Sequence, residues 1–367
     1  MQKELEALQD LNDRARRGGM SRREFTTLVA GLVASAPMLR ASQAYAQAKQ
    51  LVLVCFGGDA IPAYGDAYGQ PFTDATGIDV KIDGSGALEG AIAAQFKSGN
   101  PTWDVLDLDP FSSITLGKQG MLEPIDYSVV DRSKFRPGFG WEYAASTYFF
   151  SFVIAYDSSR YETAPTGMAD FFDVEKFPGK RSLHRWGSAM WEAALLADGV
   201  PPDQLYPLDL KRAHDKIAAF KDNVVSYWSS GSDAQSILLN GEASMAIIWH
   251  TRASLIEQDS GGQIKFIWDQ GIISPGALGV MKGNPGGREA AMQFIASTQD
   301  PEKQLVMFRE IRQGPANPAT DALIPEDERR FNCVDPANMA KQVAMNMEWY
   351  ADNYTQALDQ YTQIISA

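Results

Sequence analysis

Apolar and helix-like stretches alternate along residues 50–110 in a steady rhythm. Residues 51–56 form a continuous apolar run closed by Gly57-Gly58, the pattern of a strand buried on both faces of a parallel sheet. A helix-like stretch through Tyr68 and Phe72 leads to a second strand, Gly77-Ile78-Asp79-Val80-Lys81-Ile82. Gly84-Ser85-Gly86 opens a helix-like segment at 87–97, and residues 103–108 read as a third strand ending at Asp109-Pro110. Strand-helix-strand-helix-strand predicts a three-layer α/β unit. Phe149-Phe150-Ser151-Phe152-Val153-Ile154-Ala155-Tyr156-Asp157 is one more buried strand, and it ends this first pattern.

Further on, helical patterns are predicted at 168–172, 189–197 and 211–220, and strands at 224–228, 245–249, 264–268 and 278–281. Ser229-Ser230-Gly231-Ser232-Asp233 is rich in capping residues and opens a helix over 234–240. Helices fill the remainder, ending in Trp349-Tyr350-Ala351-Asp352-Asn353-Tyr354. Ligands of open α/β sheets bind beyond the carboxyl ends of the strands. That rule makes Phe56, Gly57, Gly58, Ser85 and Asp109 candidate ligand contacts. Gly84-Ser85-Gly86 is not a dinucleotide fingerprint, because Gly90 falls one position late, and no Walker-type Gly-Lys-Ser occurs.

Residues 1–46 break from this pattern. Ser21-Arg22-Arg23-Glu24-Phe25 carries a twin arginine and a following aromatic, an apolar run covers 27–38, and Ala44-Tyr45-Ala46 is a small-x-small cleavage site. Together they predict a twin-arginine export signal. The apolar run is well short of the roughly 20 residues that span a bilayer, so export to the periplasm without stable membrane insertion is expected.

The 367 residues carry a net charge of −13. An acidic surface argues against nucleic acid and against anionic membranes as partners. With 45% hydrophobic residues, the chain behind the signal exceeds what one compact core holds, which predicts two lobes. Cys55 and Cys333 form no C-x-x-C pair; the export compartment permits a bridge between them, but the apolar run around Cys55 favours a buried free thiol. His184, His214 and His250 lack metal-ligand spacing. No metal or cofactor is expected. Glu192, Asp104 and Asp107 as acid-base groups, with residues 229–232 as nucleophiles, would make an exported enzyme. The absence of a Gly-x-Ser-x-Gly elbow and of His-Glu-x-x-His argues against one.

Several motifs in order resemble the periplasmic substrate-binding proteins of ABC importers, family 1 extracellular solute-binding proteins, in the group of the spermidine/putrescine binders. They are the strand into Phe56-Gly57-Gly58, Phe72-Thr73-Asp74-Ala75-Thr76-Gly77-Ile78, Trp103-Asp104-Val105 and Gly120-Met121-Leu122-Glu123-Pro124-Ile125-Asp126. Asn240-Gly241-Glu242 before Ile248-Trp249, and Trp349-Tyr350-Ala351-Asp352-Asn353, complete the set. The resemblance implies a type II periplasmic-binding-protein fold: two lobes, each a three-layer α/β sandwich with a mostly parallel sheet, joined by crossing strands. Lobe 1 would hold 47–149 and 278–316, and lobe 2 would hold 150–277 and 317–367, with crossings at 149–157 and 275–281. A ligand would lie in the cleft between them, and a monomer would deliver it to an ABC importer membrane permease.

The resemblance leaves the ligand open. Polyamine binders of this family use carboxylates for the ammonium groups and aromatics for the methylenes. Counterparts of the aromatics are Phe56, Trp186, Trp228, Trp249 and Trp268. Where relatives place acids, this chain has Arg185 after His184, and Arg252 three residues past Trp249. A guanidinium stays charged and offers a fork matched to a carboxylate. With Asp109 or Asp269 left for an amine, the expected ligand is a carboxylate-bearing or zwitterionic amino compound of the 4-aminobutyrate type. A polyamine is the alternative. A ferric binder is disfavoured because Trp349-Tyr350 replaces the paired tyrosines of that group.

Overall fold

A computed structural model describes residues 49–367; the export signal read at 1–46 lies outside the described residues. The chain opens with β1 (Gln50–Val54), which leads into α1 (Ala60–Tyr64), a π-helical turn at Gly65–Gly69, and α2 (Gln70–Thr76). Gly77 ends α2 in the left-handed region at φ 75°, returning its N–H to the carbonyl of Thr73, a conformation that costs other residues a Cβ clash. Then come β2 (Asp79–Asp83), α3 (Glu89–Ser98), β3 (Val105–Leu108), α4 (Pro110–Lys118) and the short β4 (Leu122–Glu123). The long β5 (Ala145–Asp157) follows.

The next stretch holds α5 (Met168–Phe172), β6 (Arg181–His184), α6 (Met190–Ala197), α7 (Leu210–Phe220) and β7 (Val224–Trp228). It continues with α8 (Gly231–Leu239), β8 (Met245–Trp249), α9 (His250–Asp259) and the long β9 (Ile264–Met281). The chain closes with α10 (Arg288–Ser297), α11 (Pro301–Ile311), β10 (Gly314–Pro315), α12 (Pro336–Met339), β11 (Gln342–Ala344) and α13 (Met347–Ser366).

The sheet runs β2-β1-β3-β9-β5-β8-β6-β7. Its outer groups, β2-β1-β3 and β8-β6-β7, are parallel within themselves. Between them lie the two long strands, antiparallel to each other and to β3 and β8, with the short β11 added parallel to β9. The expected separate strands at 264–268 and 278–281 are one 18-residue strand. It serves two cores. Ile264, Trp268, Ile272 and Ile273 pack with β5, β8 and α6, whereas Ala277 and Met281 pack with Val54, Leu106 and Leu108 of the other half. The mixed α/β fold is therefore two half-sheets with their own apolar interiors, joined by strands that pass through both. Tyr350, Ala357 and Tyr361 of α13 join the β5/β8 core. Cys55 and Cys333 are both buried and free.

Candidate ligand-binding site

The carboxyl ends of β1, β3, β6, β7 and β8 point toward one cavity of about 630 Å³, within the range of small-molecule sites. Its floor is β5. Tyr148, Phe150 and Phe152 are two residues apart, so they share one face of the strand, and all three line the cavity. Trp249, the last residue of β8, stands at the centre of the aromatic wall. Its ring meets Phe56, Phe150 and Phe152 edge-on at 6.5, 6.3 and 6.4 Å between centroids. Its indole Nε1 is buried without a hydrogen-bond partner among the described residues. His184 lies 5.9 Å from the same ring, and burial depresses its pKa to about 3, so it is a neutral wall residue and not a charge.

One side of the cavity is acidic. Asp107 and Asp109 sit at the end of β3, again two residues apart, and both line the space with Glu89 of α3. Asp107 accepts a hydrogen bond from the Tyr148 hydroxyl at 2.8 Å, and Ser112 donates to Glu89 at 2.7 Å. Asp109 occupies the N-cap position of α4 but makes no side-chain cap, which leaves its carboxyl to the cavity. Burial pushes the Asp107 pKa up to about 7. Asp109 is pushed to about 7 as well, by burial first and then by the charges of Asp107 and Glu89. Two acids this close resist simultaneous ionisation, and a bound cation relieves both.

The other side carries Arg252, on the first turn of α9. Its guanidinium is 6% exposed, and Nη1 donates to Asp59 at 2.6 Å. Nε is buried with no partner among the described residues. The group fits because a glycine lies against it: a Cβ on Gly231, first residue of α8, would collide with Nε, whereas one on Gly58 would stand at ordinary contact distance, 3.6 Å, from Nη2. Ser229 and Ser230, at the start of α8, line the same region; the turn is held by Asp233, which accepts from the Ser229 N–H and hydroxyl.

Of the residues singled out from sequence, Phe56, Ser85, Asp109, Trp186, Trp249 and Arg252 line the cavity. The others stand elsewhere. Arg185 is exposed, its guanidinium 6.0 Å from the Trp186 ring. Trp228 is a layer deeper: its Nε1 donates to Ile247 O at 3.0 Å, and its ring supports Trp249 at 4.9 Å. Trp268 donates to Arg330 O and packs against His250, on the far side of the sheet's bend. Asp269 pairs with Lys341 at 3.5 Å on the surface. Gly57 and Gly58 shape the turn. Gly57, at φ 73°, lets the β1 end approach Gly84 O, which would be 2.8 Å from a Cβ.

Sequence reading missed Tyr148, Phe150 and Phe152, because a buried strand run looks alike whether it faces a helix or a cavity. It passed over Asp107 and Glu89 as ligand contacts; the i, i+2 spacing of Asp107 and Asp109 was the available signal. Glu192 is locked by the hydroxyls of Tyr206 and Tyr350, at 2.5 and 2.9 Å. Asp104 accepts from the backbone N–H of Val52 and Gly286. Ser230 caps α8. These arrangements hold structure together, and Ser229 donates to the Asp233 carboxylate at 2.9 Å within the opening turn of α8.

A two-half α/β fold with an aromatic, charge-bearing cavity at its strand ends defines a protein that captures a small molecule between lobes. Residues 67–329 match the bacterial extracellular solute-binding protein family, and the chain belongs to that family. It is 30% identical over 319 residues, 85% of this chain and 90% of the other, to the gamma-aminobutyric acid-binding protein of Pseudomonas aeruginosa. An ABC transporter substrate-binding protein from Bradyrhizobium japonicum USDA 110 superposes with a TM-score of 0.81 at 33% identity, covering 86% of this chain and 99% of that one. The solved Atu4243-GABA receptor gives 0.78 at 32% identity, covering 86% and 97%.

Proposed function

We propose that this protein captures a zwitterionic amino acid of the 4-aminobutyrate type in the periplasm and delivers it to an ABC importer. The observation that carries the reading is the opposition, within one aromatic cavity, of the unpartnered Arg252 edge to the Asp107–Asp109 pair. The ligand carboxylate takes Nε and Nη2 of Arg252 side-on, a bidentate geometry open to arginine. The ammonium meets the carboxyls of Asp107 and Asp109, and the methylenes cross Trp249 and Phe150. The names of the Pseudomonas relative and of the Atu4243 receptor support this ligand class.

Lobes bounded as 47–149 with 278–316 and 150–277 with 317–367 close about β5 and β9, and the closed form is the one a permease recognises. Closure has to draw free energy from contacts made to both sides at once, and a ligand with opposite charges at its ends supplies them. Export through a twin-arginine signal at 1–46 places the chain outside the inner membrane. No helix among the described residues is long and apolar enough to cross a membrane.

Putrescine is the second reading, favoured by the acids Glu89, Asp107 and Asp109 on the cavity wall. Thermal unfolding of residues 47–367 with 4-aminobutyrate, succinate, putrescine and spermidine separates the two. A ligand at a hundred times its dissociation constant adds about 2.7 kcal/mol to stability and raises the midpoint. The expected result is a rise with 4-aminobutyrate that Arg252→Gln weakens by about ten- to a hundredfold in affinity, the scale of hydrogen bonds to a charged group. A rise with polyamines alone, retained in Arg252→Gln, refutes the reading.

A further inference from the structure

We infer that Asp59 is a positioning residue for ligand capture, which turns one edge of Arg252 to the ligand and ties that edge to closure of the cleft. The inference rests on the carboxylate reading of Arg252 given above.

Asp59 and Arg252 belong to opposite halves of the molecule. Asp59 lies in the connection from β1 to α1, and Arg252 on α9 after β8; in the sheet, β3, β9 and β5 stand between β1 and β8. Their bond, Nη1 to Oδ2 at 2.6 Å, therefore joins the two halves. It is also unsymmetrical in burial, with the arginine side chain 6% exposed and the aspartate 54%. The buried cation depends on its partner, because a guanidinium cannot discharge and burial alone lowers its pKa.

Planar geometry sets what is left. Nη1 is taken by Asp59, so the remaining paired donors are Nε and Nη2. Nε is the buried atom with no partner among the described residues; Gly231 packs against it, where a Cβ would collide, and a Cβ on Gly58 would stand 3.6 Å from Nη2. Rotation of the guanidinium out of this orientation would break the Asp59 bond. A carboxylate thus finds a fork already aimed, and the fork is complete only when the two halves are together. Asp59 repels an anion, but it is half-exposed and its field is screened. The preorganised edge is the larger effect.

The test compares wild type, Asp59→Asn and Asp59→Glu by titration calorimetry with 4-aminobutyrate, in buffer with and without sulfate. Asp59→Asn should bind at least about tenfold more weakly, one charge-assisted hydrogen bond on the free-energy scale. Sulfate should compete in Asp59→Asn and not in wild type, because the released guanidinium accepts other anions. Asp59→Glu should recover part of the affinity. Equal or tighter binding by Asp59→Asn overturns the inference, since Asp59 would then only shield Arg252. If wild type ignores 4-aminobutyrate and binds putrescine, the carboxylate reading fails by itself. The same variant is then titrated with putrescine: a tenfold loss supports the tie between the halves, and no loss overturns it.

Discussion

Asp107 and Asp109 carry carboxyls whose pKa values stand near 7 in the unliganded chain, against 3.8 for a free aspartate. Burial raises both, and the Asp107 charge adds to the rise at Asp109, so the cavity carboxyls carry protons near neutral pH. An ammonium group prefers both carboxyls ionised and expels those protons. Affinity for 4-aminobutyrate should therefore fall as pH drops below about 7, by up to about tenfold per pH unit for one proton. The ligand's own groups do not titrate between about pH 8 and about pH 5.5. His184 stays neutral and Arg252 charged over that range. Calorimetry in buffers of different ionisation enthalpy should show proton release, and Asp109→Asn should flatten the profile. Unliganded stability moves the other way. The folded chain holds protons from about pH 4 to about 7 that the unfolded chain releases, so its midpoint declines as pH rises through that window.

Elements decide which parts of the site were legible beforehand. Strand ends marked by glycine or aspartate, at Phe56-Gly57-Gly58, Gly84-Ser85 and Asp109, announced the cavity because turn chemistry is local. β9 was read as two pieces because Asp269-Gln270-Gly271 and Ser274-Pro275-Gly276 look like turns. In the folded chain Gln270 sits at φ 58°, and Pro275 still faces Phe149 of β5, so the strand bends through these residues without ending. Partners distant in sequence decide that, and local pattern cannot. Arg185 shows the same limit: the residue type was right for a carboxylate, but the turn after β6 directs it outward, while Trp186 beside it lines the cavity.

The helix α8 offers a test at this scale. Gly231→Ala adds a methyl where the Arg252 Nε now lies. Gly231 is the first residue of the helix, where alanine gains little of the advantage of about 1 kcal/mol it has over glycine in a helix interior. Because the collision displaces a buried, paired guanidinium, the variant should unfold at a lower temperature as well as bind 4-aminobutyrate more weakly. Paired thermal and calorimetric measurements separate those effects.

At the scale of the whole molecule, the two halves meet along more than the cavity. Phe111 of α4 packs on Tyr350 and Tyr354 of α13 at 5.2 and 4.8 Å, and Thr115 donates to Ala351 O at 3.3 Å. Contacts of this kind bring a closed arrangement within reach of a small ligand's binding free energy. The proposed address at 1–46 is tested at the same scale. Replacing Arg22 and Arg23 together by lysine should leave the chain in the cytoplasm on cell fractionation, whereas an unaltered distribution argues against twin-arginine export.

The pairing of β3 with β9 has a consequence for how the chain is made. Val105 is matched to Val280 and Leu108 to Ala277, so the first half-sheet presents a bare edge until the ribosome has passed residue 281. The second half lacks α13 until residue 366 has been made. An unpaired strand edge invites association with other chains, and incomplete domains are the species that aggregate during synthesis. Neither half is therefore finished until late segments of the chain, β9 for the first and α13 for the second, have been made.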